Sequence, residues 1–143
     1  MRARLAIGAL GAVLLVAAVA ASASGSARIV GNCRHSQVRP PSVVLACADA
    51  NASFTHLHWS SFGGTTAHAI GNYTFNDCTP TCVAGHVHSY PVTITFSASK
   101  HCPDGFNDYR KAVATYNTSK RPSGGRGGAG KPGTMELFCP LKT

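Results

Sequence analysis

Acidic side chains are scarce in this chain: Asp49, Asp77, Asp104, Asp108 and Glu136 stand against thirteen Lys and Arg in 143 residues, a formal charge of +8 with His neutral. That scarcity argues against mechanisms needing several carboxylates, such as a calcium loop or a paired-carboxylate hydrolase. Nucleophile signatures are missing too. There is no Gly-x-Ser-x-Gly elbow, and Ser97-Ala98-Ser99-Lys100 places a Ser-x-x-Lys pair at the end of a predicted strand rather than on a helix. Beyond residue 20 no stretch of ten or more residues keeps a helical period, and no apolar run is long enough to span a bilayer. The chain length suits a single hydrophobic core and leaves no room for a second domain.

What is present begins with a leader. Met1-Arg2-Ala3-Arg4 is a short basic region, Leu5 to Ala20 an uncharged apolar run, and Ala21-Ser22-Ala23 a small-x-small cleavage pattern. Residues 1–23 therefore read as a secretory signal peptide, with cleavage after Ala23 or as late as Ala27, and residues 28–143 as one secreted, extracellular domain without a transmembrane anchor. Loss of Arg2 and Arg4 leaves eleven basic residues against five acids, a formal +6, enough to draw the protein to anionic surfaces.

Six cysteines, Cys33, Cys47, Cys78, Cys82, Cys102 and Cys139, lie in that domain. An even count in an oxidising compartment implies a disulfide framework. Six cysteines allow 15 pairings in principle, and pairing of sequence neighbours favours Cys33–Cys47, Cys78–Cys82 and Cys102–Cys139. On the chain-entropy argument these would stabilise the fold by roughly 3, 2 and 4 kcal/mol, which accounts for the cysteines without a catalytic thiol.

Apolar alternation predicts strands over 42–48, 52–59, 65–75, 88–97, 109–116 and 134–139. In the second, Phe54, His56 and His58 should share one side and Thr55, Leu57 and Trp59 the other. Gly71 suggests a bulge or bend. Pro91, unable to donate to a ladder, belongs at a strand's start or on an edge. About six or seven short strands without a helix predict an all-β, disulfide-stabilised antiparallel sandwich or barrel.

Four groupings could carry chemistry. His56-x-His58 and His86-x-His88 share a two-residue spacing, and on neighbouring strands the four imidazoles could converge on Zn²⁺ or Cu²⁺. Read alone, such pairs more often form a solvated face. Cys78-x-x-x-Cys82-x-x-x-His86 superficially resembles a zinc set, but the Thr-Pro-Thr spacer suits a tight disulfide loop. Asn117 to Gly133 is a Gly-rich, acid-free segment carrying Lys120, Arg121, Arg126 and Lys131, suited to teichoic acid, lipid headgroups or another anionic polymer and equally to a solubilising loop. Its Gly125 to Lys131 stretch matches part of a phosphate-binding loop, but Pro132 stands where Ser or Thr should be. Trp59 and Phe62 could present an aromatic platform, although a lone Trp in a strand usually packs in a core. Asp104 and Asp108, near Asn107, read as turn residues.

Arg39-Pro-Pro-Ser-Val-Val-Leu-Ala-Cys47-Ala-Asp-Ala-Asn51, Leu57-His-Trp59-Ser-Ser-Phe62-Gly63, Asn76-Asp-Cys78-Thr-Pro-Thr-Cys82-Val-Ala-Gly85 and His88-Ser-Tyr90-Pro91-Val92 together resemble a family of small secreted actinobacterial proteins of unknown function. The resemblance covers roughly Cys33 to Phe96. Phe62 stands where it leads one to expect Trp, and Ser123 to Gly133 is longer. It implies secretion and a disulfide-linked domain, with no established activity.

The expectation is a secreted, non-enzymatic, basic β domain without a cofactor, whose partner is an anionic cell-wall polymer, lipid headgroups or an extracellular protein. Nucleic acid is not expected, since Arg126-Gly127-Gly128 is isolated. A metal-binding protein using the paired histidines and a small secreted hydrolase inhibitor are the alternatives.

Overall fold

The computed structural model describes residues 26–117 and 133–141. The leader through residue 25, the expected cleavage after Ala23, and Lys120, Arg121, Arg126 and Lys131 lie outside those residues.

Eight strands and no helix are present among the described residues: β1 (Ile29–Val30), β2 (Ser36–Gln37), β3 (Val43–Val44), β4 (Ala52–Ser61), β5 (Ala67–Asn76), β6 (Val87–His101), β7 (Asn107–Tyr116) and β8 (Thr134–Glu136). β3 to β8 form one antiparallel meander in sequence order, curled into a half-barrel, and β1 and β2 pair as a separate ribbon. The fold is therefore all-β and antiparallel, as the alternation predicts. Its four central strands are longer than the short strands expected, at 10 to 15 residues each. Pro91 does not start β6 but lies inside it, on a local edge, because it pairs with Asn72 on β5 while the β7 ladder begins only at Val92. The Pro91 carbonyl accepts from Asn117 N at 2.9 Å just past the end of β7, so its missing N–H faces a position where no ladder partner is needed.

The inner face buries Phe54, Tyr73, Phe75, Val92, Ile94, Phe96, Tyr109 and several alanines, and the ribbon contributes Ile29. Phe96 lies at the centre, edge-on to Phe54 at 6.1 Å and tilted against Trp59 at 5.0 Å. Trp59 and Phe62 pack against each other and the core, and Trp59 Nε1 donates to Pro40 O at 2.9 Å. The pair thus faces inward rather than forming a platform. The disulfides are Cys33–Cys47, Cys78–Cys82 and Cys102–Cys139. They tie the ribbon to β3, close the β5–β6 turn, and link the end of β6 to the chain beyond β8. No helix among the described residues is long and apolar enough to cross a membrane.

Candidate functional site

The register of β4 against β5 breaks between Thr55 and His58: His56 and Leu57 together oppose Gly71. This β-bulge places His56 at φ 52°, in the left-handed region that non-glycine residues occupy at a cost of about 1–3 kcal/mol. It also reverses the predicted alternation. Leu57 and Trp59 join Phe54 on the core side, while His56 and His58 are exposed. The freed Leu57 N–H donates to Pro41 O at 3.0 Å.

Gly71 is the residue that admits the bulge. A Cβ there would lie 2.7 Å from Thr55 O, 2.9 Å from Leu57 Cδ2 and 3.2 Å from His56 O. The bend anticipated at Gly71 therefore belongs to the opposite strand, with glycine giving way to it. Gly71→Ala should lower stability by about 1–3 kcal/mol, because two of the three neighbours are backbone carbonyls that cannot swing aside. Urea unfolding would measure this, and an unchanged midpoint would contradict the account.

With both imidazoles turned outward, the solvent side of the sheet carries a groove of about 290 Å³ lined by His56, His58, Ile70, Gly71, Asn72, Pro91 and Asn117. Gly71 and Pro91 keep it low, and Ile70 is 56% exposed beside it. Thr93 Oγ1 donates to Asn117 Oδ1 at 2.9 Å, fixing that carboxamide at one rim. The groove offers two imidazoles, two carboxamides and an apolar wall, a set suited to holding a polar or anionic group by hydrogen bonds. Asn72, Asn117 and Pro91 could not be assigned from sequence, since only strand pairing brings them to His56. Gly71, a glycine inside a strand pattern, was the available signal.

The four predicted imidazoles do not converge. β5 runs between β4 and β6, so the premise of neighbouring strands fails and the two pairs are separated. His88 instead stacks on Phe75 at 5.3 Å and donates from Nε2 to Asp77 Oδ2 at 2.9 Å. His86 Nδ1 lies 3.9 Å from the same oxygen. The His88 bond, with backbone donation from His86 and Thr79, holds the Asp77 carboxyl down at about 2. Asp77 thereby anchors the Cys78–Cys82 loop. Asn76 braces it from inside, accepting from Cys78 N at 2.9 Å and donating to Cys82 O at 2.8 Å. Val83, directly after Cys82, is fully exposed.

Among the described residues, one group of three potential metal ligands is found, Cys102, Asp104 and Asp108. Cys102 is in a disulfide, so its sulfur is no thiolate donor. Asp108 is also not the turn residue expected: it lies in β7 and is completely buried. Only Asp104 plays the turn role, accepting from Phe106 N at 3.3 Å. Compared with protein families, curated proteins and solved structures, the chain finds no match.

Proposed function

We propose that this is a secreted, non-enzymatic binding domain that holds an anionic cell-envelope polymer in the His56–His58 groove. The observation that carries the reading is the bulge: a strained backbone at His56 aims two imidazoles into one groove between two carboxamides. The net charge supports an anionic partner. In sequence, Lys120 and Arg121 follow Asn117, a rim residue, by three and four positions.

Isothermal titration with polyglycerol phosphate, using neutral dextran as the control, tests it. Binding should be salt-sensitive, weakening as the ionic strength is raised. His56→Ala with His58→Ala should weaken it about tenfold, the loss of one or two hydrogen bonds. Equal binding of dextran, or insensitivity to the histidine pair, would refute the reading.

The braced Cys78–Cys82 loop favours a second reading, an extracellular protein partner that meets the exposed Val83. The secreted hydrolase inhibitor is one form of it. Val83→Asp would then abolish capture of that protein while leaving polymer binding intact.

A further inference from the structure

Away from the groove, Ser36 Oγ lies 2.6 Å from Asp104 Oδ2 and 2.7 Å from Asp108 Oδ2. A hydroxyl carries one proton and can donate to one of those oxygens. If both carboxyls were ionised, the other short contact would set two acceptors against each other. Asp108 is completely buried, and its Oδ1 has no hydrogen-bond partner. An ionised carboxylate in that position would carry a heavy desolvation cost.

The two guanidinium groups nearby are committed elsewhere. Arg28 lies over the Phe106 ring at 3.8 Å. Arg110 Nε donates to Leu137 O at 2.6 Å and its Nη1 lies 3.0 Å from Cys139 Sγ. Among the described residues neither forms an ion pair with Asp108. The remaining titratable neighbours are Lys100, exposed and the β6 register partner of Asp108, Tyr109, which follows Asp108 and donates to Gly64 O, His35, next to Ser36, and His101, whose Nδ1 lies 3.3 Å from Asn107 Oδ1.

We propose that Asp108 is a neutral carboxylic acid that donates its proton to Ser36 Oγ, that Ser36 donates to an ionised Asp104, and that this relay latches β2 to β7 as a proton-sensitive catch. Every close contact is then a donor meeting an acceptor, and the exposed carboxyl, Asp104, carries the charge. Burial pushes the Asp108 carboxyl above its ordinary range; the Ser36 bond opposes this, the Asp104 charge adds to it, and Arg110 and Arg28 oppose it. Because the folded value is raised, the stability that the Asp108 proton contributes is complete below the ordinary carboxylate value of about 3.9 and is lost as pH rises through the folded value. Losing the proton to solvent leaves two anions around one hydroxyl, and the ribbon loosens from β7.

Infrared spectroscopy of the full chain at about pH 6, well above the ordinary carboxylate range, should show a carboxylic-acid C=O band that Asp108→Asn removes. Asp108→Asn keeps a donor to Ser36 and should flatten the pH dependence of the melting temperature. Asp104→Asn should shift the Asp108 titration downward by removing a neighbouring charge. Amide exchange in β1 and β2 of the wild-type chain should rise relative to Asp108→Asn as pH increases. Absence of the band, or its persistence in Asp108→Asn, would overturn the proposal. So would a melting temperature raised by calcium and lowered by a chelator, since a cation would then bridge the carboxylates. If Asp108→Asn fails to fold, titration of the band in the wild type and in Asp104→Asn decides the matter.

Discussion

Phe96→Ala should cost about 3–5 kcal/mol, the usual range for emptying a buried aromatic site, and lower the melting temperature by about 15 °C or more. Phe96 is completely buried on β6, the central long strand, and its ring meets Phe54 from β4 edge-on and Trp59 at a tilt. Truncation removes the transferred surface and two aromatic contacts, each contributing about 0.5–1.5 kcal/mol. It also leaves a cavity bounded by strands that disulfides and ladders hold apart, so collapse is restricted. Phe138, 49% exposed, is the control, and its alanine variant should stay within about 0.5 kcal/mol of wild type. Thermal unfolding of both variants checks the contrast; similar losses would mean that the core is not centred on Phe96.

Replacing Cys102 and Cys139 together by serine should cost about 4 kcal/mol, the largest loss of the three bridges. The bridge spans 37 residues against 14 and 4 for the others, and loop-closure entropy grows with the length enclosed. It fastens the chain after β8, a three-residue strand with little ladder of its own, to the end of β6. Cys102 is buried beside the Asp104 turn while Cys139 is half-buried, so the serine hydroxyl at position 102 adds a desolvation penalty. Opening Cys78–Cys82 in the same way should cost less, because it closes a tight loop that Asn76 and Asp77 already brace. Urea midpoints for the two double variants rank them, and the reverse order would show that local bracing outweighs chain entropy here.

Much of this protein was legible from local patterns. Alternation at Tyr90, Val92, Ile94 and Phe96 marks an inward face whatever strand lies beside it, and β6 is built on those residues. Disulfide pairing between sequence neighbours follows from a meander in which consecutive elements are adjacent in space. The ribbon strands β1 and β2 were not legible, since two-residue segments carry no period and form only where Ile29 meets Gln37 and Val30 meets Ser36.

The site was less legible than the fold. His56 and His58 drew attention as a pair, but alternation placed them with Phe54, on the wrong side. One extra residue in β4 reverses the facing of Leu57, His58 and Trp59, as far as the second register shift before Ser61, and that insertion is set by the partner strand through the space at Gly71. Likewise, strand order alone separates the two histidine pairs.

By itself the sequence determined the class: an antiparallel β chain, basic, with an even set of six cysteines suited to disulfides. These properties arise from composition and from spacings of a few residues. Only the tertiary structure decided which polar groups meet. It turns two histidines into a groove with Asn72 and Asn117, gives Asp77 to His88, and seals Asp108 against a hydroxyl 72 positions away in the chain. Each of those encounters depends on the register between distant strands, which no local pattern encodes.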